Sequence, residues 1–391
     1  MSSLSYVLVT PYTIAKSRTG GVISRLLSRT DLDLVGAQIF TPNKEFAESY
    51  AASIKERASP NMPAILPDYV KQNFAPSGGR AHRALLLLFK GENPCEKLKD
   101  ICGDFFPNRK EVSALTGETI RDTYSDLIFC QDNPSEIRHF EPAVLTPRHP
   151  DEAKKDLLFF ADFLEGKENI VQNINYPDPS KIEKTLVILK PDNWTYNSSR
   201  PGAIIDMFSR TGLRIIGIKV HRFSLAQAME FYGTVEAILV KKLSPKYAQK
   251  AQELLEKEFG ITAGEKMLDA LQSGVGVQCA KEQFNDIVEF MCGKRPGNYS
   301  AEEMQQPGSV KTMILVYEGE NAVAKIRDVL GPTDPLQAPD GTVRREFGSN
   351  VMVNTAHASD SPESYEREKN IVKLNQNSVA DIIREQLTVN S

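Results

Sequence analysis

Apolar runs and amphipathic stretches alternate along this chain, and the same alternation occurs twice. Each series predicts a strand, a loop, an amphipathic helix and a second strand. The three segments of the first series are residues 6–11, 21–30 and 34–37, and those of the second are residues 185–191, 202–211 and 215–218. We therefore interpret the chain as two copies of one unit.

The repeat continues into the next strand of each copy. Residues 85–93 (LLLLFKGEN) resemble residues 313–321 (MILVYEGEN), and in both copies a second glycine follows the first by twelve positions, at Gly103 and Gly331. Strands and helices in the order β-α-β-β-α-β predict a ferredoxin-like antiparallel sheet, an α+β fold with helices covering one face. We expect two such units in tandem.

The spacing of the copies predicts the domain boundaries. The first copy is expected to span residues 1–145 and the second residues 184–391, joined by a helical linker at 146–183 whose helix covers 151–164. The second copy carries an excess segment around 235–309. Within it, residues 248–259 predict an amphipathic helix and residues 274–276 a turn between helices. A partner surface and a simple cap both fit this insertion, and a solvated surface helix is the interpretation that we favour.

Composition narrows the class of protein. The chain has 391 residues, a formal net charge of −4 and five cysteines, none of them in a C-x-x-C pair. A length of this order favours two domains, and the charge gives no basic field of the kind that nucleic acid attracts. We find no apolar run of about 20 residues and no leader at the amino terminus. We therefore expect a soluble, cytoplasmic protein with neither nucleic acid nor a membrane as partner.

The most informative stretch is residues 341–368, which brings together an arginine, an amide, an imidazole, a hydroxyl and a carboxylate. These are Arg344, Asn354, His357, Ser359 and Glu368. The apolar residues 351–353 predict a buried strand, and Ser361-Pro362 predicts the start of a helix. His357 is therefore expected in the turn between that strand and that helix, where reacting groups often collect.

The intervals in this stretch resemble the active-site segment of the nucleoside diphosphate kinases. In that family a G-T-[IV]-R strand is followed after ten positions by an asparagine, after three more by the reactive histidine of N-x-x-H-[GA]-S-D-S, and after eleven more by a glutamate. Gly341 to Arg344, Asn354, His357 and Glu368 keep all of these intervals. The resemblance covers residues 184–374 with specific motifs and is faint over residues 1–150.

The resemblance implies roles for residues outside this stretch as well. Lys190, in K-P-D at the end of the first strand, is the lysine that approaches the transferring phosphoryl group, and Tyr232 stands near the imidazole. Arg327 and Thr333 belong to an R-x-x-x-G-x-T-[ND]-P loop. Together with Arg344 they would bind a polyphosphate, since arginine forks fit phosphate oxygens and lysine adds a movable charge. Asn354 would bond the ribose hydroxyls.

The same resemblance implies a ping-pong reaction. A nucleoside triphosphate would phosphorylate His357, and a second nucleoside diphosphate would take the group, with Glu368 or Ser359 orienting the ring. Mg²⁺ would be bound through the nucleotide phosphates. A homo-oligomer is expected, because single-unit relatives pair between chains. A nucleotide-binding regulatory or scaffold protein of the same fold is the alternative.

Three positions depart from the family pattern. The base-stacking phenylalanine falls at Gln283, with Phe284 immediately after it, so Phe284 is the candidate for that role. Ala358 replaces the glycine after the histidine, and Asn193 replaces a glycine after K-P-D.

The first copy lacks the corresponding reactive groups. Thr10 stands where the second copy has Lys190, and counting from Arg121, the counterpart of Arg344, puts Gln131 and Pro134 at the asparagine and histidine positions. A shifted register puts Phe129 there instead. We expect a structural copy without catalysis, with a divergent nucleotide site that binds without reacting as the alternative.

Overall fold

Two four-stranded antiparallel sheets of the same strand order form the framework of the protein. In this computed structural model the described residues are 2–57, 63–106, 117–133, 136–172, 175–262 and 264–389. They divide into two compact units, residues 1–220 with 313–391 and residues 221–312. Both sheets belong to the first unit.

The first copy alternates strands and helices along the chain. Its elements are β1 (Ser2–Val9), α1 (Pro11–Ala15), α2 (Thr19–Ser28), β2 (Asp33–Phe40), α3 (Lys44–Glu56), α4 (Leu66–Phe74), β3 (Ala84–Glu92), α5 (Pro94–Cys102), α6 (Ile120–Tyr124), β4 (Asp126–Phe129), β5 (Ile137–Glu141), β6 (Val144–Leu145) and α7 (Pro150–Leu164).

The second copy repeats the arrangement and contains a helical segment. Its elements are β7 (Ile182–Leu189), α8 (Arg200–Ser209), β8 (Arg214–His221), α9 (Leu225–Phe259), α10 (Glu265–Leu271), α11 (Val277–Cys292), α12 (Ala301–Gln305), β9 (Thr312–Glu320), α13 (Ala322–Leu330), α14 (Val343–Phe347), β10 (Ala356–Ala358), α15 (Pro362–Ile371) and α16 (Val379–Val389).

The strand order is the same in both copies. The first sheet runs β2-β3-β1-β6 and the second β8-β9-β7-β10, and the paired strands whose register is defined are antiparallel. In each copy the last strand therefore lies beside the first, which is the ferredoxin-like order that the sequence predicts. This arrangement sets the end of β7 beside β10, where His357 lies.

The core of the first copy extends beyond its own sheet. Phe160 and Leu164 of α7 lie in one buried cluster with Tyr6 and Phe46, and Ile383 of α16 joins the same cluster. The helix expected at 151–164 is thus present as α7, but it packs as part of the first core. The boundary of the first domain near residue 145 and the linker at 146–183 stay predictions.

Helices α2 and α8 form a close contact between the two copies. A side chain on Gly20 would meet the carbonyl of Gly202, and a side chain on Gly202 would meet that of Gly20. The Gly21 amide donates to Asp206 Oδ1 at 3.1 Å, and the Ser24 hydroxyl donates to the Ser199 carbonyl at 2.9 Å. Gly20 and Gly202 therefore let the two helix backbones approach closely.

The second unit is helical and overlaps the insertion expected at 235–309. Its helix α9 starts with a capping box at Ser224 and runs for 35 residues, through Pro245, to a left-handed Gly260. The helix predicted at 248–259 is the last part of α9. The turn predicted at 274–276 is wrong, because Gln272–Gly276 forms a π-helical segment between α10 and α11.

Three local predictions around the candidate site are also wrong. Residues 351–353 form bends and no strand, and Val351 is 58 % exposed. Arg344 lies in α14 and not in a strand. His357 is the middle residue of β10 and not part of a turn. Short apolar runs do not distinguish strands from loops.

Candidate active site

His357 is held from one side by a buried carboxylate. In the antiparallel pair of β10 and β7 it lies opposite Ile188. Its Nε2 lies 3.0 Å from Oε1 of Glu368 in α15, and its side chain is 25 % exposed whereas that of Glu368 is 2 % exposed. The imidazole is therefore anchored from within the protein while a part of the ring reaches the surface.

Ser359 completes this anchor. Its hydroxyl donates to Glu368 Oε2 at 2.7 Å and accepts from the Leu186 amide of β7 at 3.2 Å. Arg367 Nη2 lies 3.6 Å from Glu368 Oε1. The carboxylate accepts hydrogen bonds on both oxygens, so the neutral imidazole carries its proton on Nε2 and its lone pair on Nδ1.

The start of α15 places Glu368 beneath the ring. Ser361 caps the helix by accepting from the Ser364 amide at 3.1 Å, and Pro362 occupies the first turn. Glu368 lies in the second turn of α15. The Ser364 hydroxyl lowers the pKa of Asp360, with smaller contributions from Arg327 and His357. Arg327 and His357 therefore face the same carboxylate.

Lys190 is a buried cation next to this strand. Its Nζ donates to Asn354 Oδ1 at 2.7 Å and to the Met352 carbonyl at 3.3 Å. Burial and, to a smaller extent, the nearby Arg344 lower the pKa of Lys190 to about 7, and Asp192 opposes the shift. A pKa near the working pH in a cleft is typical of functional sites.

Arg344 ties the loop before it to the strand of His357. Its Nη1 donates to the Gly331 carbonyl at 3.0 Å and its Nη2 to the Ala356 carbonyl at 2.9 Å. Asn354 also bridges loops, donating through Nδ2 to the Thr333 carbonyl at 3.0 Å. These bonds bring four predicted residues together around the segment that leads into β10, namely Arg344, Lys190, Asn354 and His357.

Four residues that support this loop were missed by the sequence interpretation. Arg200 Nη2 donates to Asp192 Oδ2 at 2.8 Å and to Thr355 Oγ1 at 2.8 Å, and Asn193 Nδ2 donates to the Thr355 carbonyl at 2.7 Å. Thr355 has a φ of 76°, which is unusual for a residue other than glycine. Asn193 could have been found from the sequence, because it departs from the family pattern. The positive φ of Thr355 could not, because no sequence pattern marks it.

The remaining predicted residues take different positions. Arg327 on α13 and Thr333 have exposed side chains, and only the Thr333 carbonyl is bonded to Asn354. Tyr232 and Phe284 belong to the unit of residues 221–312 and are 7 % and 5 % exposed. Their roles near the imidazole and the base stay predictions.

The described residues contain neither a candidate metal cluster nor a helix that could span a membrane. Within this part of the chain we find no group of three or more His, Cys, Asp or Glu that could hold a metal ion. The described helices include none with the length and apolarity needed to cross a membrane.

The first copy contains an equivalent of this loop with different side chains. Arg121 donates to the carbonyls of Gly103 and Val144, as Arg344 does to those of Gly331 and Ala356. Val144 lies opposite Val9 in the sheet, as Ala356 lies opposite Leu189. Leu145 therefore takes the position of His357.

This register corrects the sequence alignment of the first copy. Phe129 and Pro134 were expected at the histidine position, and Pro134 lies outside the described residues. Phe129 belongs to the hairpin of β4 and β5, which inserts residues ahead of β6 and defeats equal spacing.

Comparison with known proteins identifies a family. The family model described as Nucleoside diphosphate kinase matches residues 276–377. A nucleoside diphosphate kinase of Methylorubrum populi is 31 % identical over 46 % of this chain and 86 % of its own length, and one of Anaeromyxobacter sp. is 30 % identical over 46 % and 83 %. The Aquifex aeolicus nucleoside diphosphate kinase structure is 26 % identical, covers 49 % of this chain and 94 % of its own, and has a TM-score of 0.31. The chain belongs to the nucleoside diphosphate kinase family.

Proposed function

We propose that this protein is a nucleoside diphosphate kinase that transfers the terminal phosphate of a nucleoside triphosphate through His357. The observation that carries the proposal is the chain of hydrogen bonds from Ser359 through Glu368 to His357 Nε2. A nucleophile oriented by a base or carboxylate that a third group holds is the arrangement of covalent catalysis. Family membership and the naming of the relatives support the same reaction.

Because Glu368 holds Nε2 of His357, the other ring nitrogen, Nδ1, is the one that reacts. Nδ1 of His357 attacks the γ-phosphorus, an N–P bond forms, and the bond from phosphorus to the bridging oxygen breaks, so the electron pair leaves with the diphosphate. The proton stays on Nε2, where Glu368 stabilises the charged ring. A second diphosphate reverses these steps and leaves as a triphosphate.

Charge neutralisation is the task of the surrounding groups. Phosphoryl transfer needs alignment and cations near the equatorial oxygens more than covalent chemistry. Lys190 and Arg344 are the buried and half-buried cations beside the strand of His357, and the exposed Arg327 and Thr333 would contact the outer phosphates. Asn354 would contact the ribose, Phe284 the base and Tyr232 the imidazole surroundings.

Mg²⁺ would act through the nucleotide. Since the described residues offer no cluster of three or more metal-ligating side chains, phosphate oxygens would hold the ion. It would supply charge neutralisation on the bridging oxygens while Lys190 and Arg344 position the γ-phosphate.

The test is direct labelling of the enzyme. After incubation with γ-labelled ATP and Mg²⁺, we expect one acid-labile, base-stable phosphoryl group per chain, and added nucleoside diphosphate should remove it as triphosphate. Nucleotide binding without label would contradict the kinase and support the regulatory or scaffold protein. Label that no diphosphate removes would contradict the ping-pong reaction.

We also propose that the first copy has a structural role and that the chains form a homo-oligomer. Leu145 at the histidine position offers no nucleophile. A nucleotide titration of the His357→Ala protein tests the first point, since nucleotide bound at the loop of Gly103 and Arg121 would favour the divergent site. Light scattering tests the second, and monomer mass at micromolar concentration would contradict it.

A further inference from the structure

A large cleft lies between the two copies within the first unit. Its volume is about 860 Å³, and its lining comes from the beginning of α2, the segment 78–83, residues 175–177, α8, the beginning of β8 and Tyr317 of β9. None of the residues assigned to the candidate active site lines it. Cavities of this size accommodate cofactor-sized molecules.

Three arginines supply the charges among the residues that line this cleft, and the carboxylates of Glu318 and Asp206 lie nearby without lining it. Arg80, Arg83 and Arg214 line it, and no aspartate or glutamate does. Among the residues that the structure describes, none of the three arginines forms an ion pair with a carboxylate. Burial and the neighbouring Arg214 lower the pKa of Arg83 to about 10, and Tyr176 and Glu318 oppose this shift. Two guanidinium groups thus lie close together in a half-buried space that attracts an anion.

Two buried hydroxyls face the same space. Tyr317 is 2 % exposed and Thr19 is 4 % exposed, both line the cleft, and neither hydroxyl has a hydrogen-bond partner within the described part of the chain. Buried polar groups of folded proteins are almost always paired. Their partner is therefore to be sought in a molecule that enters the cleft.

The walls differ in chemistry. On one side a turn at Gly78 and Gly79, with φ of 55° and 72°, presents backbone without side chains beside Arg80. Ile205, Leu213 and Ile215 give apolar surface. The Arg214 guanidinium lies 4.4 Å from the centre of the Tyr176 ring, which holds it in position. The cleft thus combines a cationic region with room for an organic body.

The repeat does not impose these groups. Aligning the copies places Asp33 and Phe89 in the first copy where the second has Arg214 and Tyr317. The cation and the hydroxyl are therefore particular to one side of the junction, and the fold alone does not require them.

We propose that this inter-copy cleft binds a small organic phosphate, with its phosphate groups on Arg80, Arg83 and Arg214 and its organic part against the apolar wall. The Tyr317 and Thr19 hydroxyls donate to the same ligand. One guanidinium group can donate two parallel hydrogen bonds to the oxygens of one phosphate. Three guanidinium groups can therefore bind the phosphate groups of such a ligand.

The test is calorimetric titration of the full chain at low salt with two probes, ATP and inorganic tripolyphosphate. The test variant is Arg80→Gln/Arg214→Gln, and Arg138→Gln, an exposed arginine of β5, is the matched control. We expect two binding sites per chain for ATP in the wild type and in Arg138→Gln, and the loss of one of them, at least tenfold in affinity, in the test variant. Tyr317→Phe, which keeps the ring, should weaken the same site by a smaller factor.

Location and ligand class have separate readouts. Lys190→Gln should weaken the other ATP site and leave the cleft unchanged, so failure of the proposed kinase site does not affect this result. Equal ATP binding by wild type and the folded test variant overturns the proposal. If the arginine substitutions weaken the binding of tripolyphosphate but not that of ATP, the proposal of an organic ligand is overturned. Melting curves by circular dichroism establish that each variant is folded.

Discussion

The loop of the first copy and the loop of the second share a frame and differ in chemistry. Arg121 and Arg344 bond equivalent carbonyls, and the residues two positions before Leu145 and His357, Ala143 and Thr355, have φ of 62° and 76°. The amides of Thr10 and Lys190 donate to the carbonyls of these two residues. The arginine and the strained backbone are thus common to both copies. The copies differ in the side chains that these features position.

The carboxylate position shows the same divergence. Eleven residues after Leu145 stands Asp156, and eleven after His357 stands Glu368. Asp156 is buried in α7 and bonded by Tyr6 and by Arg57 at 2.8 Å, so it stabilises the core where Glu368 holds an imidazole. The first copy has used an equivalent buried acid for packing.

Replacing the proposed nucleophile should have the largest effect. His357→Ala is expected to lower transfer by roughly 10⁴-fold or more, because the covalent step has no substitute. His139→Ala, in β5, is the control and should keep wild-type turnover. A coupled spectrophotometric assay measures both.

The same variant tests how much the first site lacks. Leu145→His added to His357→Ala is not expected to restore the labelled enzyme, because Thr10 stands where a cation is needed. Restored labelling would mean that the first loop lacks only a histidine.

The two arginines should separate function from structure. Arg344→Ala is expected to lower turnover by about 10²-fold, the scale for removing one preorganised donor. Arg121→Ala removes equivalent bonds and a contact of 3.9 Å with the Phe105 ring, so it should cost about 2 kcal/mol of unfolding free energy and leave turnover within a few-fold. Steady-state rates and urea unfolding should be measured for both variants. Equal losses of turnover would contradict a functional role for Arg344 and a structural role for Arg121.

The carboxylates should separate in the same way, with a smaller difference in rate. Glu368→Gln is expected to lower turnover by roughly 10²-fold or less, since the amide can still accept from Nε2 but stabilises the charged ring poorly. Asp156→Asn should instead lower the unfolding free energy by about 3 kcal/mol, because the mostly buried Arg57 loses its 2.8 Å ion pair and keeps the longer 3.8 Å contact with Glu152. Wild-type stability of Asp156→Asn would refute the structural role.

The smallest expected effect is on pH dependence. The pKa of Lys190 in the free protein is about 7, and a bound phosphate favours the charged amine, so binding takes up a proton above pH 7. ATP affinity should therefore fall with rising pH, by at most about tenfold per unit between pH 7 and 9. Lys190→Gln should bind more weakly at pH 7 and lose most of this dependence, and an identical pH profile in both proteins would contradict the role of Lys190.

Sequence reasoning reached the strand order and the proximity of His357 and Glu368 because both depend on spacing. The interval from His357 to Glu368 is kept along the chain, and β10 followed by α15 turns that interval into a 3.0 Å contact. It failed for Leu145, since the hairpin of β4 and β5 changes the spacing without changing the sheet. It also failed for Thr355 and Arg200, whose importance lies in a backbone angle and in contacts between distant residues.

The position of α16 has a consequence for biosynthesis. Val379, Ala380 and Ile383 complete a core whose other members lie between residues 4 and 164, so the first half of the chain must wait for nearly the last residues before its core is closed. About 215 residues separate Leu164 from Val379. At 5–20 residues per second, their translation takes roughly 10 to 40 seconds. During that interval the nascent first copy exposes the apolar surface that α16 later covers, which is where a chaperone would be needed.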